Sequence, residues 1–378
     1  MPIKSFDVYS YKNVYKFQVI DPLSKLVDIL NKGKYSIVFI DSVVLSKYQI
    51  FFENLNIKKI IVEVSAKTKS IEQLMVYLKQ FSNLSLKKNS SIVVVGGATM
   101  QDIFGTVCCL YFRGINWTYV PTTLLSQGDS CIGSKTSLDG FGKKNQFGVF
   151  YPPSKIYISS AFLDSLPSKE IYSGIGDILH YLLPYDEKHE ILKSLIDLST
   201  TKDKKKLLSY CVDISSKAMK IKSELVKIDE FDEGPRKIFN YGHTFGHALE
   251  KASSNYFPHG LAVLCGLFIA LNYNQQSSIK SFCIDQRNFL KELIEIMFHS
   301  QKMKVEINSS KLNNLLESDK KNIIQGKVKI VLPTKLSKSL WICKSMNPIY
   351  GLNLFELDVD ECVNSFICVS EIKGISFY

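Results

Sequence analysis

Three short runs of apolar, mostly β-branched residues, at 35–44 (YSIVFIDSVV), 58–64 (KKIIVEV) and 91–95 (SIVVV), are separated by polar stretches long enough to form helices. A strand buried on both faces reads as a continuous apolar run, and parallel neighbours need a crossover of helix length between them. The spacing therefore predicts a parallel sheet with helical crossovers. Such runs stop near residue 163, and the segments beyond it, such as 210–227 and 240–252, carry helical periodicity instead. The expected fold class is α/β plus α: a parallel-sheet domain over 1–163 and a mainly helical domain over 164–378, joined near Ser160 to Pro167. A chain of 378 residues also exceeds what a single core usually supports. A cleft between two domains is the natural place for a ligand.

Charge and cysteine content narrow the class of function. The net charge of +11 comes from 47 basic and 36 acidic residues, but the lysines are dispersed. The densest run, Lys202 to Lys206 with Asp203, abuts a helical segment and reads as a solvated face. An anionic small molecule is expected as partner, and nucleic acid is not. The longest apolar stretch, Ala262 to Leu271, contains Gly266 and falls well short of the roughly 20 residues that span a bilayer. With no apolar leader in MPIKSFDVYS, a cytoplasmic protein without a membrane partner is expected. The nine cysteines form no C-x-x-C pair and read as reduced, packed thiols.

Two local patterns carry chemistry. After SIVVV comes Gly96-Gly97-Ala98-Thr99-Met100-Gln101-Asp102, a strand-to-helix turn. Glycines there let backbone approach a pyrophosphate, and helix N-terminal N–H groups favour an anion. A tight turn with no ligand is the equal alternative. The second pattern is Asn240-Tyr241-Gly242-His243-Thr244-Phe245-Gly246-His247, followed by Pro258-His259-Gly260, which puts three of the six histidines within 17 residues. His243 and His247, four apart, share one helix face. Thr244 stands where a zinc-protease helix needs its general-base glutamate, so a protease is disfavoured. Two of the histidines with a carboxylate from elsewhere make a three-ligand metal site with a position left open. Hydrogen bonding within a core remains an alternative for any of them, and His247 either ligates directly or supports from outside the ligand set.

Beyond these patterns, Arg113-Gly114, Val120-Pro121-Thr122-Thr123-Leu124-Leu125-Ser126-Gln127, Asp129-Ser130, Gly133-Ser134-Lys135-Thr136 and Lys144-Asn145 run in order. They are followed by Gly174 to His180, Lys222, Asp229-Glu230, Arg236, Asn240, the GHTFGHA block, His259-Gly260 and Asp319-Lys320-Lys321. This ordered series, over roughly residues 35 to 335, resembles the 3-dehydroquinate synthase family of sugar phosphate cyclases. The resemblance implies a Rossmann-like NAD-binding domain, a helical metal- and substrate-binding domain, and a homodimer. It implies NAD contacts from Gly96, Gly97, Asp102, Thr122, Thr123, Lys135 and Lys144, with Lys69 beside them and Asp41 as a ribose partner. It implies metal ligation by Asp177, His243 and His259, with zinc first and cobalt or iron as alternatives. An anionic sugar phosphate would be anchored at its carboxylate by Lys222 and Arg236. Arg113, Asn145, Asn240, His247 and Lys320 match positions around its phosphate, Lys135 is also on the substrate side, and Asp129 matches a contact to hydroxyls. Asp129, His180, Lys222, Arg236, Asn240 and His247 form the implied catalytic set.

The chain departs from the family pattern where chemistry is concentrated. Asp177 replaces a glutamate, His180 replaces a lysine, Ala66 replaces a glutamate near the cofactor, and Leu261 follows His259-Gly260 where a glutamate is common. Three readings stay open: a divergent 3-dehydroquinate synthase acting on 3-deoxy-D-arabino-heptulosonate 7-phosphate, a sister cyclase using another heptulose or hexose phosphate, or a retired binding protein of the same fold. A metal-dependent polyol dehydrogenase stands further off, because it has no need of two anion anchors.

Overall fold

The computed structural model describes residues 3–378 apart from 66, 202, 255, 274–278, 318–325 and 344–345. It divides into two compact units, residues 1–166 with 211–231, and residues 167–210 with 232–378.

The first unit contains β1 (Ser5–Tyr9), β2 (Val14–Val19), β3 (Ile37–Asp41), β4 (Lys58–Val62), β5 (Ser91–Gly96), β6 (Asn116–Pro121), β7 (Lys135–Gly140), β8 (Lys143–Phe150) and β9 (Lys155–Ile158). Its helices are α1 (Leu23–Lys32), α2 (Ser42–Lys47), α3 (Gln49–Glu53), α4 (Ile71–Ser82) and α5 (Ala98–Leu110). Seven strands form one sheet in the order β1-β2-β9-β6-β5-β3-β4, parallel except for the β1–β2 hairpin. The expected parallel sheet is present, and it is Rossmann-like. Its two faces follow the period-two alternation of β3. Val38 and Ile40 enter a core with Leu23, Leu26 and Leu30 of α1. Phe39 points the other way, stacking on Phe81 of α4 with ring centroids 5.1 Å apart and lying tilted against Phe104 of α5 at 4.4 Å.

The predicted strand over 35–44 stops early, at Asp41. The Asp41 carboxylate accepts a hydrogen bond from Val43 N at 2.8 Å, which caps α2 and draws the β-branched Val43 and Val44 into a helix. The N-terminal hairpin β1–β2 carries no long apolar run and was not among the predicted strands; its residues alternate between exposed and buried, as an edge ribbon does.

The helices α6 (Ser168–Leu182), α7 (Glu190–Thr200), α8 (Lys204–Val226), α9 (His243–Ala252), α10 (His259–Asn272), α11 (Lys280–Ser300), α12 (Leu312–Glu317) and α13 (Val359–Ser365) follow in the chain. The second unit also holds the short parallel pair β10 (Val305–Ile307) and β13 (Ile375–Phe377), and the antiparallel pair β11 (Lys327–Thr334) and β12 (Gly351–Asp358). α10 is buried from Gly260 through Leu271, so an all-round apolar sequence marks the centre of this helical unit rather than a surface helix. Among the described residues no helix is long and apolar enough to cross a membrane. All nine cysteines are free thiols, and all but Cys109 are buried.

The unit boundary departs from a single cut at 163/164. Residues 211–231, expected with the helical domain, group with the sheet. The physical cause lies in what this stretch touches: Met219 Sδ lies 3.7 Å from Cys131 Sγ, and Lys222 Nζ reaches Asp129 at 2.7 Å. Helical periodicity reveals such a segment but not the core it joins.

Candidate active site

In the first unit, the chain runs from β3 outward to β4 and then crosses back to place β5 on the other side of β3. That reversal is a topological switch point, where the carboxyl ends of the strands leave a crevice for a ligand. Asp41 ends β3 and Gly96 ends β5. A side chain at Gly96 would put Cβ 3.3 Å from Asp41 Cβ and 2.4 Å from Met100 Cγ, so only glycine leaves this turn open. Gly97 is the N-cap of α5 and offers no side chain to cover the helix start. Thr122 N donates to the Gly96 carbonyl at 3.1 Å, and a Cβ on Gly97 would stand 3.1 Å from Thr123 Cγ2. Asp41, Gly96, Gly97, Thr122 and Thr123 thus gather at one end of the sheet. Burial raises the carboxyl of Asp41 above its ordinary range, with the N–H groups of Val43 and Val44 pulling the other way.

A second cluster lies along α5 and the β7–β8 hairpin. Lys69 Nζ is 2.6 Å from Asp102 Oδ2 and 2.7 Å from Asn145 Oδ1, and Asp102 Oδ1 accepts from Ser137 N at 2.8 Å. Burial raises the Asp102 carboxyl, partly offset by Lys69 and by the Ser137 N–H. Asn145, expected around a phosphate, is therefore tied to the lysine and aspartate expected at the cofactor. Lys135 and Lys144 sit exposed on the same hairpin. Asp129 and Lys222 form a further pair: Lys222 Nζ donates at 2.7 Å to both the carbonyl and Oδ1 of Asp129, and its side chain is only 7% exposed. Glu230, from the Asp229-Glu230 motif, accepts from Ser10 Oγ and Tyr11 N at 2.6 Å each and so anchors the N-terminal hairpin.

Arg113 is not brought to the glycine turn. It precedes β6, whereas Gly96 pairs with Pro121 at the far end of that strand. A six-residue strand spans about 17 Å, so Arg113 stands at the opposite edge of the sheet, exposed and with φ of 60°.

In the second unit, one ligand atom each from Asp177 of α6, His243 of α9 and His259 of α10 lies within 4.8 Å of the others. Close helix packing makes this possible. A Cβ on Gly260 would fall 1.7 Å from the Ser173 carbonyl oxygen, so α6 and α10 touch backbone to backbone. Ser173 Oγ accepts from Gly260 N at 2.9 Å, which caps the start of α10. Asp177 is 2% exposed, and its Oδ1 is 3.4 Å from His259 Nε2. Zinc bonds of ~2.0–2.1 Å in a tetrahedral site set ligand atoms about 3.3–3.4 Å apart, so the residues present fit a divalent ion. The other ring nitrogens are engaged: His243 Nδ1 is 3.2 Å from the Tyr241 carbonyl, and His259 Nδ1 is 3.0 Å from Glu250 Oε2. Both contacts present Nε2 as the ligating atom.

Around this triad, His247 lies with its ring 5.6 Å from His243 and 5.3 Å from His259. His180, one turn beyond Asp177, stands 4.7 Å from His243 and edge-on to it. Arg236 is buried in the short 3-10 turn Pro235–Asn240, and Asn240 Nδ2 bonds the Lys237 carbonyl at 2.8 Å. Lys320 lies outside the described residues, as does Ala66. Glu250 was missed from the sequence. Its signal was spacing: His243, His247 and Glu250, at i, i+4 and i+7, share one helix face, and each is only partly buried.

Residues 59–173 match the sequence profile of the 3-dehydroquinate synthase N-terminal domain, and residues 174–322 match that of its C-terminal domain. The chain belongs to the 3-dehydroquinate synthase family. It is an enzyme of the sugar phosphate cyclase type. A 3-dehydroquinate synthase of Thermodesulfovibrio yellowstonii is 32% identical over 264 residues, 69% of this chain and 71% of that protein. In fold, this family member is similar to 2-deoxy-scyllo-inosose synthase complexed with carbaglucose-6-phosphate, NAD+ and Co2+, with TM-score 0.75, 18% identity, and coverage of 96% and 99% of the two chains. It is also similar to 2-epi-5-epi-valiolone synthase from Streptomyces hygroscopicus with NAD+ and Zn2+ bound, with TM-score 0.67, 17% identity, and coverage of 97% and 99%. At these identities the likeness to the solved structures is one of fold.

Proposed function

We propose that this family member is an NAD- and divalent-metal-dependent cyclase that converts 3-deoxy-D-arabino-heptulosonate 7-phosphate, or a close relative, to a carbocycle with elimination of phosphate. The observation that carries the reading is the convergence of Asp177, His243 and His259, one carboxylate and two imidazoles with Nε2 atoms turned to a common point. In this reading Asp177, His243 and His259 hold the ion, and the switch-point residues Asp41, Gly96, Gly97, Thr122 and Thr123, with Lys69, Asp102 and Lys144, hold the dinucleotide. When bound, NAD would take a hydride from the carbon bearing one substrate hydroxyl and later return it, and the ion would stabilise the negative charge that develops on that hydroxyl's oxygen as its proton leaves.

The chain's own residues supply orientation and charge. Lys222 fixes the carboxylate of Asp129 as an acceptor for substrate hydroxyls and brings a cation that is 7% exposed, where an anion is held more strongly than in bulk water. Arg236, buried in its 3-10 turn, is the second carboxylate anchor; its planar fork suits bidentate pairing. Asn240, His247, Asn145 and Lys135 are assigned to the phosphate end, together with Lys320; Arg113, at the opposite edge of the sheet from the glycine turn, is not grouped with Asn145. Oxidation acidifies the neighbouring C–H, and the phosphate departs as that proton is removed, so the donors at the phosphate end stabilise the leaving group.

A second reading is favoured by one observation. His180 places an imidazole against His243 where the family carries a lysine, which alters charge and reach beside the ion. A sister cyclase using another heptulose or hexose phosphate accommodates that change. The test is incubation of the NAD- and zinc-loaded protein with the seven-carbon keto acid phosphate, following inorganic phosphate and NADH absorbance together. Phosphate release without net NADH supports the proposal. Release only from a neutral sugar phosphate selects the sister cyclase, and no phosphate release from either refutes both readings.

A further inference from the structure

We infer that Glu250 is a positioning residue for the metal centre, holding His259 in the one tautomer and ring orientation that turns Nε2 toward Asp177; this rests on the metal reading of the preceding section. His259 uses its two ring nitrogens on opposite sides. Nδ1 is 3.0 Å from Glu250 Oε2, and Nε2 is 3.4 Å from Asp177 Oδ1. A carboxylate can only accept, so Nδ1 carries the proton and Nε2 keeps its lone pair for an ion. The same contact raises the basicity of the imidazole and with it the strength of ligation.

The need for such a partner follows from where His259 sits. It is the first residue of α10, after the N-cap Pro258, and its side chain is 33% exposed, so packing alone does not fix the ring. His243 is held differently, through the backbone carbonyl of Tyr241. Glu250 lies on α9, seven residues after His243. One helix therefore carries a ligand and the carboxylate that orients the other histidine ligand on the neighbouring helix. Because Glu250 is 35% exposed and His259 33% exposed, the pair adds little to folding. Its effect belongs in metal affinity, and that separates a positioning role from a structural one.

The experiment compares wild type, Glu250→Ala and Glu250→Gln as metal-free full-length proteins. Each is titrated with Co2+ against a chromophoric chelator, with the visible Co2+ spectrum and the thermal midpoint of the metal-free form recorded. The expected result is an affinity loss of about 10–100-fold for Glu250→Ala, an altered Co2+ spectrum, an unchanged metal-free midpoint, and partial recovery in Glu250→Gln, which keeps an acceptor oxygen. Co2+ affinity of Glu250→Ala equal to wild type overturns the inference alone. A loss of affinity matched by a drop in the metal-free midpoint also overturns it, because Glu250 would then be structural. Failure of the wild type itself to bind Co2+ overturns the metal centre and the inference together.

Discussion

The imidazole of His180 stands edge-on to that of His243, with ring centroids 4.7 Å apart. His180 is 2% exposed and sits three residues after Asp177 on α6, so it faces the candidate ligand set without belonging to it. His180→Ala is expected to retain Co2+ within about threefold, while turnover falls by about 10²-fold or more through loss of a proton-handling group. Metal content and phosphate release are the paired measurements. Loss of both in proportion would make His180 a support of the ligand set.

Asp102 gives a pH prediction. Burial holds its carboxyl above the ordinary value of 3.8 despite the pull of Lys69. Between 3.8 and that raised value the folded state holds more proton than the unfolded one, so stability falls as pH rises through the window and is level above it. Wild type minus Asp102→Asn, measured by urea unfolding across that window, should become less favourable to wild type as pH rises. Lys69→Met, which removes the offsetting cation, should widen the window upward.

The contact between α6 and α10 predicts a steep cost for one methyl group. With 1.7 Å between a Gly260 Cβ and the Ser173 carbonyl oxygen, Gly260→Ala forces the helices apart. A destabilisation of at least about 1–3 kcal/mol is expected from overpacking, accompanied by weaker Co2+ binding because Asp177 and His259 move away from each other. Urea unfolding and Co2+ titration of the same variant test the linkage. Stability lost with metal affinity intact would show that the ligands tolerate a shift of their helices.

Tyr241, whose carbonyl meets His243 Nδ1, also belongs to a buried polar chain. Tyr350 donates to Gln286 Oε1 at 2.8 Å and meets the Tyr241 hydroxyl at 3.3 Å, while Gln286 Nε2 bonds the Leu183 carbonyl at 2.8 Å. Tyr350→Phe leaves Gln286 and Tyr241 each short of a partner, and a loss of about 1–3 kcal/mol is expected in urea unfolding. A double cycle with Tyr241→Phe should be non-additive, since the two hydroxyls share one network.

What the sequence disclosed follows from the range of the forces involved. Strands β3 and β5 were legible because burial on both faces leaves an unbroken apolar run, whereas β4, an edge strand with Ile61 exposed, was legible from its β-branched run Ile60-Ile61-Val62. His243 and His247 were legible because helical spacing is local, and Asp177 because the family series fixed its place in order. The hydrogen bond from His259 to Glu250 joins two helices, and no local pattern states which carboxylate an imidazole will meet. Arg113 shows the same limit: its motif neighbours lead into β6, but only the strand's direction puts Arg113 at the opposite edge from Gly96. The segment 210–227 read correctly as helix as far as Val226, while the allegiance of 211–231 to the sheet depends on Met219 and Lys222 meeting Cys131 and Asp129.

The claim that three side chains from three helices hold one catalytic ion is tested most directly by anomalous diffraction from crystals grown with Co2+. A single strong peak is expected about 2.0–2.2 Å from a carboxylate oxygen of Asp177 and from Nε2 of both His243 and His259. A peak bound by fewer than these three residues, or lying elsewhere in the helical unit, would contradict it.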